Sequence, residues 1–106
     1  MNAESCFIVI EEMRLHYYAA GADDAPAVVL LHGGGIDSAK IAWRHLLPPL
    51  AKTHRVYALD FPGYGLSEPP ADEVAYTQAF LERPLSAFVE ALGLDTLLLV
   101  GLSMGG

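Results

Sequence analysis

Apolar positions fall into five short runs and two stretches of helical spacing. Residues 7–10 form a β-rich run, and Met13-Arg14-Leu15-His16-Tyr17-Tyr18 alternates loosely. The two read as strands on either side of a Glu11-Glu12 turn, an antiparallel hairpin. Gly21-Ala22-Asp23-Asp24-Ala25-Pro26 has loop composition. The unbroken apolar run 27–31 after it has the pattern of a strand buried on both faces, as in a parallel sheet. Ile41, Leu46, Leu47 and Leu50 recur at near-helical spacing. With Pro48-Pro49 ending or kinking any helix there, the spacing predicts a helix over 39–47. Residues 55–59 form another strand, followed by Asp60-Phe61-Pro62-Gly63-Tyr64-Gly65, whose Pro and Gly mark a tight loop. Pro84, Leu85, Phe88 and Leu92 trace one helical face. Pro84 is expected in the first turn of that helix and Gly93 just past its end. Residues 96–100 read as a third buried strand.

Strand, helix, strand, helix, strand is the order of right-handed crossovers in a parallel sheet covered by helices, so the fold class is α/β. Ligand chemistry in such sheets gathers at the carboxyl ends of the strands. Those ends are marked here by His32-Gly33-Gly34-Gly35, by residues 60–67 and by residues 101–106.

Gly101-Leu102-Ser103-Met104-Gly105 is a G-x-S-x-G segment directly after a strand. A serine on a sharp strand-to-helix turn sits in strained backbone, and residues two positions either side must be very small. Gly101 and Gly105 meet that need, and Gly106 extends it. Ser103 is then the candidate nucleophile, with the Met104 N–H as an oxyanion donor. His32-Gly33-Gly34-Gly35 offers free backbone N–H groups for a second donor, Gly34 first and Gly35 next.

On these residues the chain resembles the α/β-hydrolase superfamily, the branch of esterases, lipases and carbon–carbon bond hydrolases. His32-Gly33-Gly34-Gly35 is similar to its oxyanion loop, Asp60-Phe61-Pro62-Gly63-Tyr64-Gly65-Leu66-Ser67 to its D-x-P-G-x-G-x-S loop, and Gly101-Leu102-Ser103-Met104-Gly105-Gly106 to its nucleophile elbow. The three occur in family order, and the resemblance runs from Leu15 onward. It implies a serine hydrolase of a carboxylic ester or related acyl or carbon–carbon bond, taking a small-molecule acyl substrate and needing no metal or organic cofactor. Dehalogenases and epoxide hydrolases of the same superfamily carry aspartate at the nucleophile position, where this chain has Ser103. The family triad runs Ser, Asp/Glu, His in chain order, yet His16, His32, His45 and His54 all precede Ser103. His16, His45 and His54 are expected to be surface or loop residues. Asp60 is expected to bond backbone in its turn. The chain is accordingly expected to be the amino-terminal portion of one hydrolase domain, truncated after the elbow. An exposed edge on its last strand would leave the isolated chain prone to aggregation.

Composition narrows the partners. Among 106 residues, 13 acidic and 6 basic side chains give a formal charge of −7 with no Lys/Arg cluster, which argues against nucleic acid. Hydrophobic residues reach 53% and charged ones 18%, unlike a disordered chain. Cys6 is the single cysteine, which excludes an intrachain disulfide or a thiol-based zinc site. No positive stretch precedes an apolar one at Met1-Asn2-Ala3-Glu4-Ser5, and no apolar run is long enough to span a bilayer, so a soluble, cytoplasmic protein without a membrane partner is expected. Two rivals remain. A dinucleotide-binding unit would want glycine where Ser38 stands, and does not begin with a hairpin. A non-catalytic piece would dock a separate carboxyl-terminal half along its open sheet edge, with Trp43, Phe61 and Tyr64 as further contacts.

Overall fold

A computed structural model of the chain describes residues 3–10, 12–33, 38–68, 78–94 and 97–101. Strands β1 (Glu4–Ile10) and β2 (Met13–Ala20) form the hairpin. After them come β3 (Ala27–Leu31), α1 (Ala39–Trp43), α2 (Leu47–Leu50), β4 (Arg55–Leu59), α3 (Gln78–Ala91) and β5 (Leu97–Gly101). The sheet order is β1-β2-β4-β3-β5. β2 runs antiparallel to β4, while β3 pairs in parallel with β4 on one side and with β5 on the other.

The side chains explain why β3 reads as an unbroken apolar run and why β4 beside it is largely buried. Successive strand positions face opposite sides, and both sides are covered. Val28, Leu30, Val56 and Ala58 pack with Ala39, Trp43 and Leu47 of the first two helices. Val29, Leu31 and Leu59 pack on the other face with Leu15, Phe61 and Phe88 of α3. The result is a helix–sheet–helix sandwich. The crossover after β3 lies on one face and the one after β4 on the other, so the carboxyl ends of these neighbours mark the switch point at which such sheets bind ligands.

Several local expectations are corrected. The first helix stops at Trp43, and Pro48-Pro49 occupy the first turn of α2 instead of ending a helix. First-turn N–H groups have no intrahelical acceptor, so proline sacrifices no bond there. Pro84 lies inside α3, not in its first turn. An interior proline costs about 3 kcal/mol in an exposed helix, and here the buried ring offsets part of that. The face it shares with Leu85, Phe88 and Leu92 is the one turned to the sheet. Gly93 closes the helix at φ +69°, as expected of a glycine just past a carboxyl end. β1 begins earlier than expected, at Glu4, β2 continues to Ala20, and β5 includes Gly101. Thr96 lies outside the described residues.

Candidate active site

The carboxyl ends of β3 and β4 carry two buried polar side chains, His32 and Asp60. Asp60 accepts at both carboxylate oxygens. Oδ1 takes the N–H of Ala39 at 2.8 Å, while Oδ2 takes the N–H of Leu66 at 3.2 Å and the Nδ1–H of His16 at 2.7 Å. The expected bond to backbone in its own turn is there, at Leu66. It is joined by two partners from elsewhere, the first residue of α1 and a side chain of β2.

His16 corrects the expectation of a surface or loop histidine, for it is fully buried in β2. A carboxylate only accepts, so His16 donates its Nδ1–H to Asp60, and its Nε2 shares a hydrogen bond with the Ser5 hydroxyl at 2.6 Å. The rings of Phe7 and Tyr18 lie 5.0 and 4.6 Å from the imidazole. Burial, and then the Asp60 carboxylate, push the Tyr18 phenol above its ordinary value. Ser67, also buried, stitches the same spot: its hydroxyl accepts from the His16 N–H at 2.8 Å and donates to the Asp60 carbonyl at 2.7 Å. The sequence around His16 showed only its place in a predicted strand; its partners Asp60 and Ser67 lie more than 40 residues away. A histidine inside a strand flanked by Leu15 and Tyr17 and covered on both faces must find partners.

His32 leads out of β3 and is fully buried. Its Nδ1–H donates to the Gly33 carbonyl at 2.6 Å, and its Nε2 accepts the N–H of Phe61 at 3.0 Å. Phe61 and Tyr64 pack against the ring, with centroids 4.9 and 5.0 Å away. These contacts make both aromatics part of the interior wall. In the turn after β4, Gly63 and Gly65 adopt φ +80° and +53°, values that disfavour any side chain. Gly65 has a second reason to be glycine: a Cβ there would run into the Asp60 carboxylate.

Of the residues singled out in the sequence, the structure brings His32, Gly33, Asp60, Gly63 and Gly65 to this edge. It also puts Gly101 at the end of β5, in register with Leu31 of β3. Gly34, Gly35, Ser103, Met104, Gly105 and Gly106 lie outside the described residues. His45 is exposed and His54 half-buried, both remote in the chain from this edge. Among the described residues no group of three or more His, Cys, Asp or Glu side chains is placed to hold a metal ion. None of the described helices is long and apolar enough to cross a membrane. A shallow groove lined by Pro26, Ala27, His54, Leu97 and Leu98 lies at the opposite, amino-terminal edge of the sheet, away from this chemistry.

Comparison with known proteins matches this arrangement. The family model described as alpha/beta hydrolase fold covers residues 26–106. Epoxide hydrolase 4 of Mus musculus is 35% identical over 103 residues, 95% of this chain and 28% of the relative. The 2-hydroxy-6-oxo-6-(2'-aminophenyl)hexa-2,4-dienoic acid hydrolase of Metapseudomonas resinovorans is 40% identical over 102 residues, 94% of this chain and 34% of the relative. Among solved structures, the haloalkane dehalogenase DbeA of Bradyrhizobium elkani superposes with a TM-score of 0.89 at 29% identity, covering 98% of this chain and 34% of that one. The chain thus spans about a third of the length of the relatives it matches. With the sheet order, the covered faces and the anchored loops on the same side of the comparison, the chain belongs to the alpha/beta hydrolase fold family.

Proposed function

We propose that this chain supplies the nucleophile and the oxyanion side of a serine hydrolase acting on a small carboxylic ester, or a related acyl or carbon–carbon bond. The observation that carries the reading is the register of β3 with β5. Leu31 pairs with Gly101, so the His32-Gly33-Gly34-Gly35 motif and the G-x-S-x-G segment leave neighbouring parallel strands at one edge. Relatives named for epoxide, haloalkane and carbon–carbon bond chemistry support hydrolysis in general. Serine at position 103, where the first two of those branches carry aspartate, favours the acyl and carbon–carbon branch.

In this mechanism a histidine from outside these 106 residues, held by an acid also outside them, takes the proton from Ser103 Oγ as it attacks the carbonyl carbon. The carbonyl electrons move to oxygen, where the N–H groups of Met104 and of Gly34, or Gly35 in its place, hold the oxyanion. Collapse expels the leaving group with the histidine's proton, and water then releases the acyl group from Ser103. No metal or organic cofactor enters these steps. In the full-length protein, Ser103→Ala is expected to lower p-nitrophenyl ester turnover by about 10⁴-fold or more. A fluorophosphonate probe is expected to label the Ser103 peptide. Turnover that survives Ser103→Ala overturns the assignment.

A further inference from the structure

We infer that Asp60 and His16 are positioning residues for the oxyanion loop, an inference that rests on the serine hydrolase reading above. Two adjacent residues at the end of β4 hold that loop at both ends. At its start, the Phe61 N–H donates to His32 Nε2 at 3.0 Å, and His32 in turn bonds the Gly33 carbonyl. At its exit, Asp60 Oδ1 accepts the Ala39 N–H at 2.8 Å. The span between these grips contains the candidate donors Gly34 and Gly35.

The grip is itself oriented. Asp60 Oδ2 is fixed by His16 Nδ1–H at 2.7 Å and by the Leu66 N–H, and His16 is held on its far side by the Ser5 hydroxyl at 2.6 Å. A relay therefore runs from the exposed amino-terminal strand through a fully buried imidazole to the exit of the loop. An oxyanion donor works only within a few tenths of an ångström of its distance, and misplacement by about 1 Å costs about 10²-fold in rate. Neither Asp60 nor His16 needs to touch substrate. Their effect is on where the loop's N–H groups stand when negative charge develops.

The test uses the full-length protein with Asp60→Asn, His16→Leu, His16→Asn and Ser5→Ala, alongside Ser103→Ala. Asp60→Asn turns one acceptor into a donor facing an N–H, while His16→Asn keeps a donor near the place of Nδ1. The readings are kcat and KM for a p-nitrophenyl ester, and affinity for a trifluoromethyl ketone, whose serine adduct carries an oxyanion, against affinity for a product carboxylate. Asp60→Asn and His16→Leu are expected to lower kcat and ketone affinity together by about 10- to 100-fold. KM and carboxylate affinity should stay within about twofold, and His16→Asn should recover kcat to within about threefold. Ser5→Ala, at the exposed end, should show the same split at a few-fold, and it decides the matter if the buried variants do not fold. Unchanged kcat and ketone affinity in the folded variants, or an equal loss of ketone and carboxylate binding, overturns the inference. If Ser103→Ala abolishes turnover while these variants leave it intact, only the positioning role falls. Turnover that survives Ser103→Ala removes both.

Discussion

His16 and Asp60, 44 residues apart in the chain, are joined by a 2.7 Å hydrogen bond from Nδ1 to Oδ2 with both side chains shut away from solvent. Buried polar groups of this kind are tolerable only when every strong donor and acceptor is used. Here the imidazole spends both nitrogens and the carboxylate both oxygens. The pair joins β2, the start of α1 and the turn after β4 at one point.

Gly65 stands against that carboxylate, and Gly93 at the end of α3 faces open space, yet both have positive φ. Alanine at either position meets the left-handed penalty of about 1–2 kcal/mol. Only at Gly65 does a Cβ also collide with Asp60. Gly65→Ala is therefore expected to lower stability by at least about 2 kcal/mol and Gly93→Ala by about 1 kcal/mol. Urea unfolding measures both, and equal losses would contradict the collision.

Alkaline pH should weaken the fold. Burial is the main cause that pushes up the Cys6 thiol and the Tyr17 and Tyr18 phenols, with smaller contributions from the charge of Glu4 on Cys6, from Cys6 on Tyr17 and from Asp60 on Tyr18. Each group holds its proton more tightly folded than unfolded. Its contribution is complete below the ordinary thiol and phenol values, 9.0 and 10.0, and is lost as pH rises through the raised ones. The urea midpoint is expected to fall from about pH 9 upward, and less steeply in Tyr17→Phe and Tyr18→Phe. A midpoint that rises over that range would contradict the sign.

How much of this was legible in the sequence depended on whether a local pattern had one physical cause. The run 27–31 could only be a strand covered on both faces, and β3 occupies those residues. Arg55–Leu59 was equally plain. The hairpin, the α/β class and the convergence of His32, Asp60 and Gly101 at one edge followed from these and from chain order. Prolines misled because their effect depends on position within a helix. Pro48-Pro49 start α2, and Pro84 sits inside α3 with its ring buried. His16 was missed for a different reason. Its environment is made by Ser5, Asp60 and Ser67, and no window of sequence around β2 contains the latter two.

The outer side of β5 offers a third test. β5 is bonded to β3 and is the last strand of the described sheet. Leu98 is 59% and Leu99 49% exposed, although neighbouring positions face opposite sides, so both faces are only partly covered there among the described residues. Apolar strands with an open edge pair with other chains, and lysine at the edge blunts this. The 106-residue chain is expected to self-associate in sedimentation, and Leu98→Lys with Leu99→Lys to raise the monomer fraction. A wild-type chain that sediments as a monomer would contradict this.

The place of β3 between β4 and β5 also sets a timetable. Ala27 pairs with Arg55 on one side and with Leu97 on the other. During synthesis at roughly 5–20 residues per second, the first partner follows within about 1–6 s, while the second arrives about 4–14 s after Ala27 itself. For that interval the most apolar strand of the sheet has one side bonded and one side open. The nascent chain is therefore open to chaperones, and to neighbouring ribosomes, along the β5-facing side of β3, with Arg55–Leu59 already made and Leu97–Gly101 still to come.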